Sequence, residues 1–193
     1  MSMEMNHRAP RIAEYPDIEL YMDQVLSVLE KKLSPFFPGE KSITSTMINN
    51  YVKQKLISPP ESKRYGKSQL TRLFMICILK SVLQLSEISD LMNNLEEGRD
   101  FEALYALFVE RFDAALDAVF SGKAMPLSEE DPTEFALSSA LMAFSHILLS
   151  RMAFSRAEKT WPPKLSEEEI KEKEKKEKKE KKEKEKKDKE KNK

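Results

Sequence analysis

From Lys164 to Lys193 the chain carries 15 lysines and 11 acidic residues, and its only apolar side chains there are Leu165 and Ile170. A segment of that composition has almost nothing to bury, so it is expected to stay solvated, as coil or as a lone charged helix. Its Glu and Lys residues recur three and four apart, a spacing that supports such a helix by a few tenths of a kcal/mol per pair. Any fold must come from the remaining ~160 residues, enough for one ordinary domain with a real core.

Within that part the apolar period is helical and proline supplies the punctuation. Ile18, Met22, Val25, Leu29 and Leu33 make one stripe after Pro16-Asp17, with Asp17 as the predicted N-cap. The stretch "SPFFPGEKS" breaks that helix. A second is predicted from near Thr44, with Met47, Ile48, Tyr51 and Val52 inward. It should end by Ser58, because Pro59-Pro60 restricts the preceding residue and offers no backbone donor. A third spans Lys67 to Leu83, with Leu70, Leu73, Phe74, Cys77, Ile78 and Val82 apolar. Ser86 is the predicted N-cap of a fourth, closed at Glu96-Glu97-Gly98. Phe101, Leu104, Tyr105, Phe108, Phe112, Ala115, Leu116 and Val119 mark a long fifth. Asp131-Pro132 opens a sixth, with proline at a first-turn position that needs no N–H. No segment alternates with period two beyond a few residues. The predicted class is all-α with a small β wing at most, laid out as a flexible arm (1–15), a helical domain (16–95), a helical pair (96–160) and the charged tail (161–193).

Net charge is zero, but only by cancellation. Residues 41–72 carry Lys41, Lys53, Lys55, Lys63, Arg64, Lys67 and Arg72 against Glu61 alone, a net +6, whereas residues 73–163 are net −7. A basic cluster of this kind is an electrostatic footprint for a polyanion. One cysteine excludes an internal disulfide, and no apolar secretory signal opens the chain, so a cytoplasmic protein is expected. Four glycines form no phosphate-cradling loop, and no Ser-His-Asp group or metal motif emerges. The chain is therefore predicted to be no enzyme and to use no cofactor. Cys77 falls at core spacing, and His146, with no second ligand near it, reads as a core or interface histidine.

Helix, helix, basic loop, helix and short helix is the order of a winged helix-turn-helix. "MINNYVKQKLISPP" and "KRYGKSQLTRLFMICILKSVLQLSEISDLM" together resemble the MerR-type DNA-binding domain. Leu56, Ile57 and Pro59 match its exit from the recognition helix, Arg64-Tyr65 its wing, and Leu85, Glu87 and Ile88 the turn beyond it. From about Asp17 to Leu91 the chain also resembles the family called domain of unknown function 1836, whose opening blocks look like "DIELYMDQVLSVLEKKL" and "ITSTMINNYVKQKLI". That label carries no activity. Two departures from the MerR pattern are a long loop between the first two helices and Ser62 where a wing tyrosine is common.

A recognition helix places short polar side chains where base edges come within reach. Thr44, Ser45, Thr46, Asn49 and Asn50 supply that chemistry, Asn by bidentate pairing with adenine. Lys53, Lys55, Lys63, Arg64, Tyr65, Lys67 and Arg72 suit phosphate, which gives affinity and register but no base sequence. The expected function is sequence-specific binding of double-stranded DNA in transcriptional regulation. The alternative is a protein-interaction module that keeps the helix-turn-helix shape without DNA. A homodimer is expected, because Phe101, Phe108, Phe112, Phe120, Phe135, Leu141, Phe144, Ile147 and Leu148 point in more directions than one antiparallel pair can cover. Phe135 to Phe154 is long enough to span a bilayer, yet its four serines, His146 and Arg151 favour burial in protein.

Overall fold

The computed structural model describes residues 8–38, 40–122, 125 and 131–160, the side chains of 158–160 excepted, and the tail expected at 161–193 lies outside the described residues. The chain divides into two units, Met1–Ala153 and Phe154–Lys193, and the core belongs to the first. The class is all-α, with six helices among the described residues: α1 (Met22–Leu33), α2 (Ser45–Lys53), α3 (Lys67–Leu79), α4 (Leu85–Glu96), α5 (Phe101–Ser121) and α6, which starts at Pro132 and runs on to Thr160. Single 3-10 turns occupy Ile12–Glu14 and Ser34–Phe36. Extended pairing among the described residues amounts to β1 (Leu20–Tyr21) against β2 (Arg64–Tyr65), antiparallel, with Leu20 opposite Tyr65 and Tyr21 opposite Arg64, and one bridge between Glu61 and Arg64.

The core is organised around α3. From Gln69 to Leu79 every residue except Arg72 is buried, so this helix cannot lie on a surface and has to be wrapped. The Phe74 ring meets Phe36, Tyr105 and Phe108 edge-on, with centroids 6.0, 6.5 and 6.3 Å away. Aromatic pairs in this geometry add roughly 0.5–1.5 kcal/mol each beyond the area they bury. Phe112 continues the chain of rings to Phe36 at 5.2 Å and Phe144 at 5.6 Å, and Phe144 reaches Phe37 at 5.7 Å. One cluster of buried side chains therefore runs from Ala9 to Leu148 without a gap at the boundary expected near residue 95.

This packing covers, within one chain, much of the apolar surface from which a dimer was expected. Phe108, Phe112, Leu141, Phe144 and Leu148 are covered within one chain. Phe120, Phe135 and Ile147 are half-buried, and only Phe101 of that set is exposed. The α6 segment Pro132–Ala157, of mean hydropathy 1.3, is long and apolar enough to cross a membrane by length and composition. Yet its Leu137, Leu141, Phe144 and Leu148 belong to the core. His146 is exposed, so of the two places expected for it the core is excluded.

Several element ends differ from the periodic reading, each for a local reason. Helix α1 starts at Met22 and not at Pro16-Asp17, because Leu20 and Tyr21 are drawn into the β pair, one side chain inward and one outward. Ile18, expected in the stripe, is 69% exposed. Asp17 caps nothing and instead pairs with Lys67. The first N–H of α1 that needs a partner, at Tyr21, is satisfied by Gln24 Oε1 at 2.9 Å. Helix α3 ends at Leu79, short of Leu83. In α4 the Glu87 carboxylate accepts the Gln84 N–H at 2.7 Å, so the cap lies two residues before Ser86.

Residues 8–15, expected in a flexible arm, form a strap along α5. Asp113 Oδ1 accepts the Ala9 N–H at 2.9 Å, and Asp113 Oδ2 pairs with Arg11 at 2.7 Å. The hydroxyls of Tyr15 and Tyr105 are 2.9 Å apart, and Tyr105 donates to the Pro10 carbonyl at 2.7 Å. Burial, first of all, pushes both phenols above their ordinary pKa. Asp100 caps α5 by accepting from the Ala103 N–H at 2.8 Å.

Candidate nucleic-acid interface

Helix α2 is short, and its two faces have different employment. Ile48 and Tyr51 are buried, while Met47 and Val52 pack at the edge of the core. Ser45, Asn49 and Lys53, with Thr46 and Asn50 beside them, fall one turn apart and are all exposed. Thr44 does not join them. It is the N-cap, and its Oγ1 accepts from the Met47 N–H at 3.2 Å, which satisfies one of the free donors at the helix start. Thr46, Asn49, Asn50 and Lys53 with Met47 line a shallow groove of about 430 Å³.

The exit from α2 is not made by proline. The helix stops at Lys53, and Lys55 takes a left-handed conformation with φ 58°. The Leu56 N–H then donates to the Tyr51 carbonyl at 2.9 Å, and the Lys55 N–H to Val52 at 3.0 Å. That pair of bonds is a Schellman closure, usually built on glycine. It corrects the expected end near Ser58 and explains it: the turn buries Leu56 and Ile57 in the core. Pro59-Pro60 lies beyond a helix that has already finished.

Helix α3 anchors the loop that leaves α2. Gln69 Nε2 donates to the carbonyls of Ser58 and Pro59 at 3.0 and 3.1 Å, while its Oε1 accepts the Gly66 N–H at 2.7 Å. Arg72, one turn on, donates from Nε to the Leu56 carbonyl at 2.5 Å and pairs with Glu96. Burial lowers the Arg72 pKa. Between these anchors, Glu61 to Arg64 makes a tight turn closed by the Arg64 N–H on the Glu61 carbonyl at 2.8 Å. Its two central residues, Ser62 and Lys63, have φ of 46° and 65°, the mirror-image form that joins paired strands in two residues. A left-handed non-glycine residue costs roughly 1–2 kcal/mol. Among the described residues, all those of this kind (Lys55, Ser62 and Lys63) lie in this one stretch.

The basic residues that read as a single run in the sequence divide in space. Lys53, Lys55 and Lys63 are exposed and form no ion pair among the described residues. Arg64 is exposed too, and it is held: its Nη2 donates to the Tyr21 hydroxyl at 3.2 Å, and its guanidinium lies over the Tyr21 ring at 5.2 Å. That hydrogen bond raises the Arg64 pKa. Lys67 is neutralised by Asp17, and Arg72 by Glu96. Tyr65 is buried and faces Leu20 across the β pair. So the expected site residues Ser45, Thr46, Asn49, Asn50, Lys53, Lys55, Lys63 and Arg64 stand in solvent. Tyr65 and Arg72 instead serve the core and the exit loop, and Lys67 serves the tie to Asp17.

Two contributors escaped the sequence reading. Tyr21 looked like one residue of a helix, and only its strand alternation beside Leu20 could have turned it outward. Gln69, three residues after Gly66, stands where a glutamine can accept the cap N–H, but its two bonds to the Ser58 and Pro59 carbonyls had no sequence signal. Among the described residues no group of three His, Cys, Asp or Glu side chains is placed to hold a metal.

Comparison with known proteins gives one family. The description Domain of unknown function (DUF1836) matches residues 10–108, from the strap into α5. No curated protein and no solved structure matches the chain.

Proposed function

The chain belongs to the DUF1836 family, whose description names no activity, and we propose from its geometry that it binds duplex DNA as a transcriptional regulator. In this reading α2 lies in the major groove. Asn49 and Asn50 read base edges, Ser45 and Thr46 assist them, and Lys53 and Lys55 meet phosphate. The turn at Glu61–Arg64 is the wing of a MerR-like winged helix-turn-helix, with Lys63 and Arg64 on the neighbouring backbone.

The observation that carries the proposal is the pairing of a polar, outward α2 face with a strained turn anchored from behind by α3. Backbone held in costly conformations persists where the surroundings over-determine it, and such sites cluster where function needs a fixed shape. The Tyr21 contacts of Arg64 add to this: a guanidinium already oriented loses less freedom when it meets a phosphate oxygen. A two-fold complex on paired half-sites is part of the proposal on symmetry grounds. Light scattering of the DNA complex should give two chains of 22.4 kDa each.

Selection of bound sites from random duplex DNA tests binding and specificity together. Replacing Asn49 or Asn50 with Ala should relax preference at one base pair at a cost of about 1–3 kcal/mol. Absence of duplex binding at low salt ends the proposal. The second reading is a protein-interaction module, favoured by the internal pairing of Lys67 and Arg72, which leaves a smaller basic face than the sequence suggests. Partners retained after nuclease treatment would support it.

A further inference from the structure

We infer that a cleft between the N-terminal strap and α1 binds a small monocarboxylate with an apolar body. The cleft measures about 460 Å³, within the range of small-molecule sites, roughly 300–1,000 Å³. Pro10, Pro16, Val28 and Pro35 give it apolar walls. It shares no residue with the α2 face or the wing, so it stands apart from the DNA proposal.

Its polar group of interest is Lys32. That side chain is 13% exposed, and its Nζ sits 4.5 Å from the centre of the Tyr15 ring. The nearest carboxylate oxygen, Glu14 Oε2, is 3.8 Å away, an ion-pair distance too long for a hydrogen bond. Glu14 is held back because its other oxygen accepts the Arg11 N–H at 2.6 Å. The ammonium therefore has the Tyr15 ring face and a long ion pair with Glu14 as its partners, and no side-chain hydrogen bond at ordinary distance among the described residues. Burial lowers its pKa, against the opposing pull of the Glu14 carboxylate.

Charge and shape then select the ligand. Arg8 also lines the cleft but is committed to Asp117 at 2.6 Å. Lys31 and Lys32 against Glu14 leave one positive charge, which matches one carboxylate. A dianion such as phosphate would exceed that single charge, and the carbonyls at this C-terminal end of α1 oppose the excess. Four apolar residues in the lining suit a hydrocarbon or aromatic body.

Calorimetric titration of the full chain with phenylacetate and with neutral phenylethanol tests the site. Phenylacetate should bind, and phenylethanol should bind roughly tenfold more weakly, because it lacks the charge-assisted hydrogen bond. Lys32→Met should bring the acid down to the level of the alcohol, whereas Lys53→Met on α2 should change neither. Glu14→Gln keeps an acceptor for the Arg11 N–H and removes the competing charge, so it should raise acid affinity severalfold. Equal affinities for acid and alcohol, or no binding of either, would overturn the inference. So would a folded Lys32→Met protein that still prefers the acid. Should Lys32→Met fail to fold, an unchanged affinity in Glu14→Gln would overturn it just as well.

Discussion

Helix α3 buries everything from Gln69 to Leu79 except Arg72, whereas α2, a few residues earlier, commits only Ile48 and Tyr51 to the core. The same division runs through their charges. Arg72 of α3 spends its guanidinium on the Leu56 carbonyl and Glu96, while Lys53 of α2 and Lys63 and Arg64 of the turn face solvent. One helix is the scaffold and the other is the surface it presents. Gln69 and Arg72 make the connection, since both reach from α3 to carbonyls of the loop that leaves α2.

The largest test of that division is Phe74→Ala. Removing a ring that meets three others should cost about 3–5 kcal/mol in urea unfolding, whereas Asn49→Ala should stay within about 0.5 kcal/mol. Similar costs at the two sites would erase the distinction between scaffold and surface.

The next separates two arginines. Arg72→Met leaves the Leu56 carbonyl and Glu96 without their partner and should cost about 1–3 kcal/mol of stability. Arg64→Met should leave the unfolding midpoint unchanged. If the turn meets phosphate as proposed, Arg64→Met instead lowers the slope of log affinity against log salt by about one. An Arg64→Met protein that loses stability but keeps its salt slope would make Arg64 structural.

Lys55→Gly sharpens the comparison from the other direction. Glycine takes the left-handed closure of α2 freely, so stability should rise by about 1 kcal/mol. Unchanged stability would mean that the Lys55 backbone carries no strain.

The smallest effect is on pH. Asp131 Oδ1 accepts the N–H groups of Thr133 and Glu134 at 2.8 and 3.1 Å, and these bonds hold its carboxyl below the ordinary aspartate pKa. A depressed folded pKa contributes stability above the unfolded value, near ~4, and that contribution is lost as pH falls through the folded value. Asp131→Asn still caps α6, so it should flatten the acid limb of the stability profile without removing the helix. An identical acid limb in both proteins would rule out this role for Asp131.

Helix number, class and most of the core were legible in the sequence, because the 3.6-residue period and the placement of proline are local properties of the chain. The apolar positions Leu70, Leu73, Phe74, Cys77 and Ile78 proved buried as their spacing implied, and the polar face of α2 was visible in Ser45, Asn49 and Lys53. Three other features depended on partners far along the chain. Tyr65 turned inward because it pairs with Leu20. Lys67 met Asp17, fifty residues away. Phe112 and Phe144 found Phe36 and Phe37 in their own chain. Periodicity states which face of a segment avoids water, but which surface covers that face is set by contacts between distant segments, and those exist only once the chain has closed on itself.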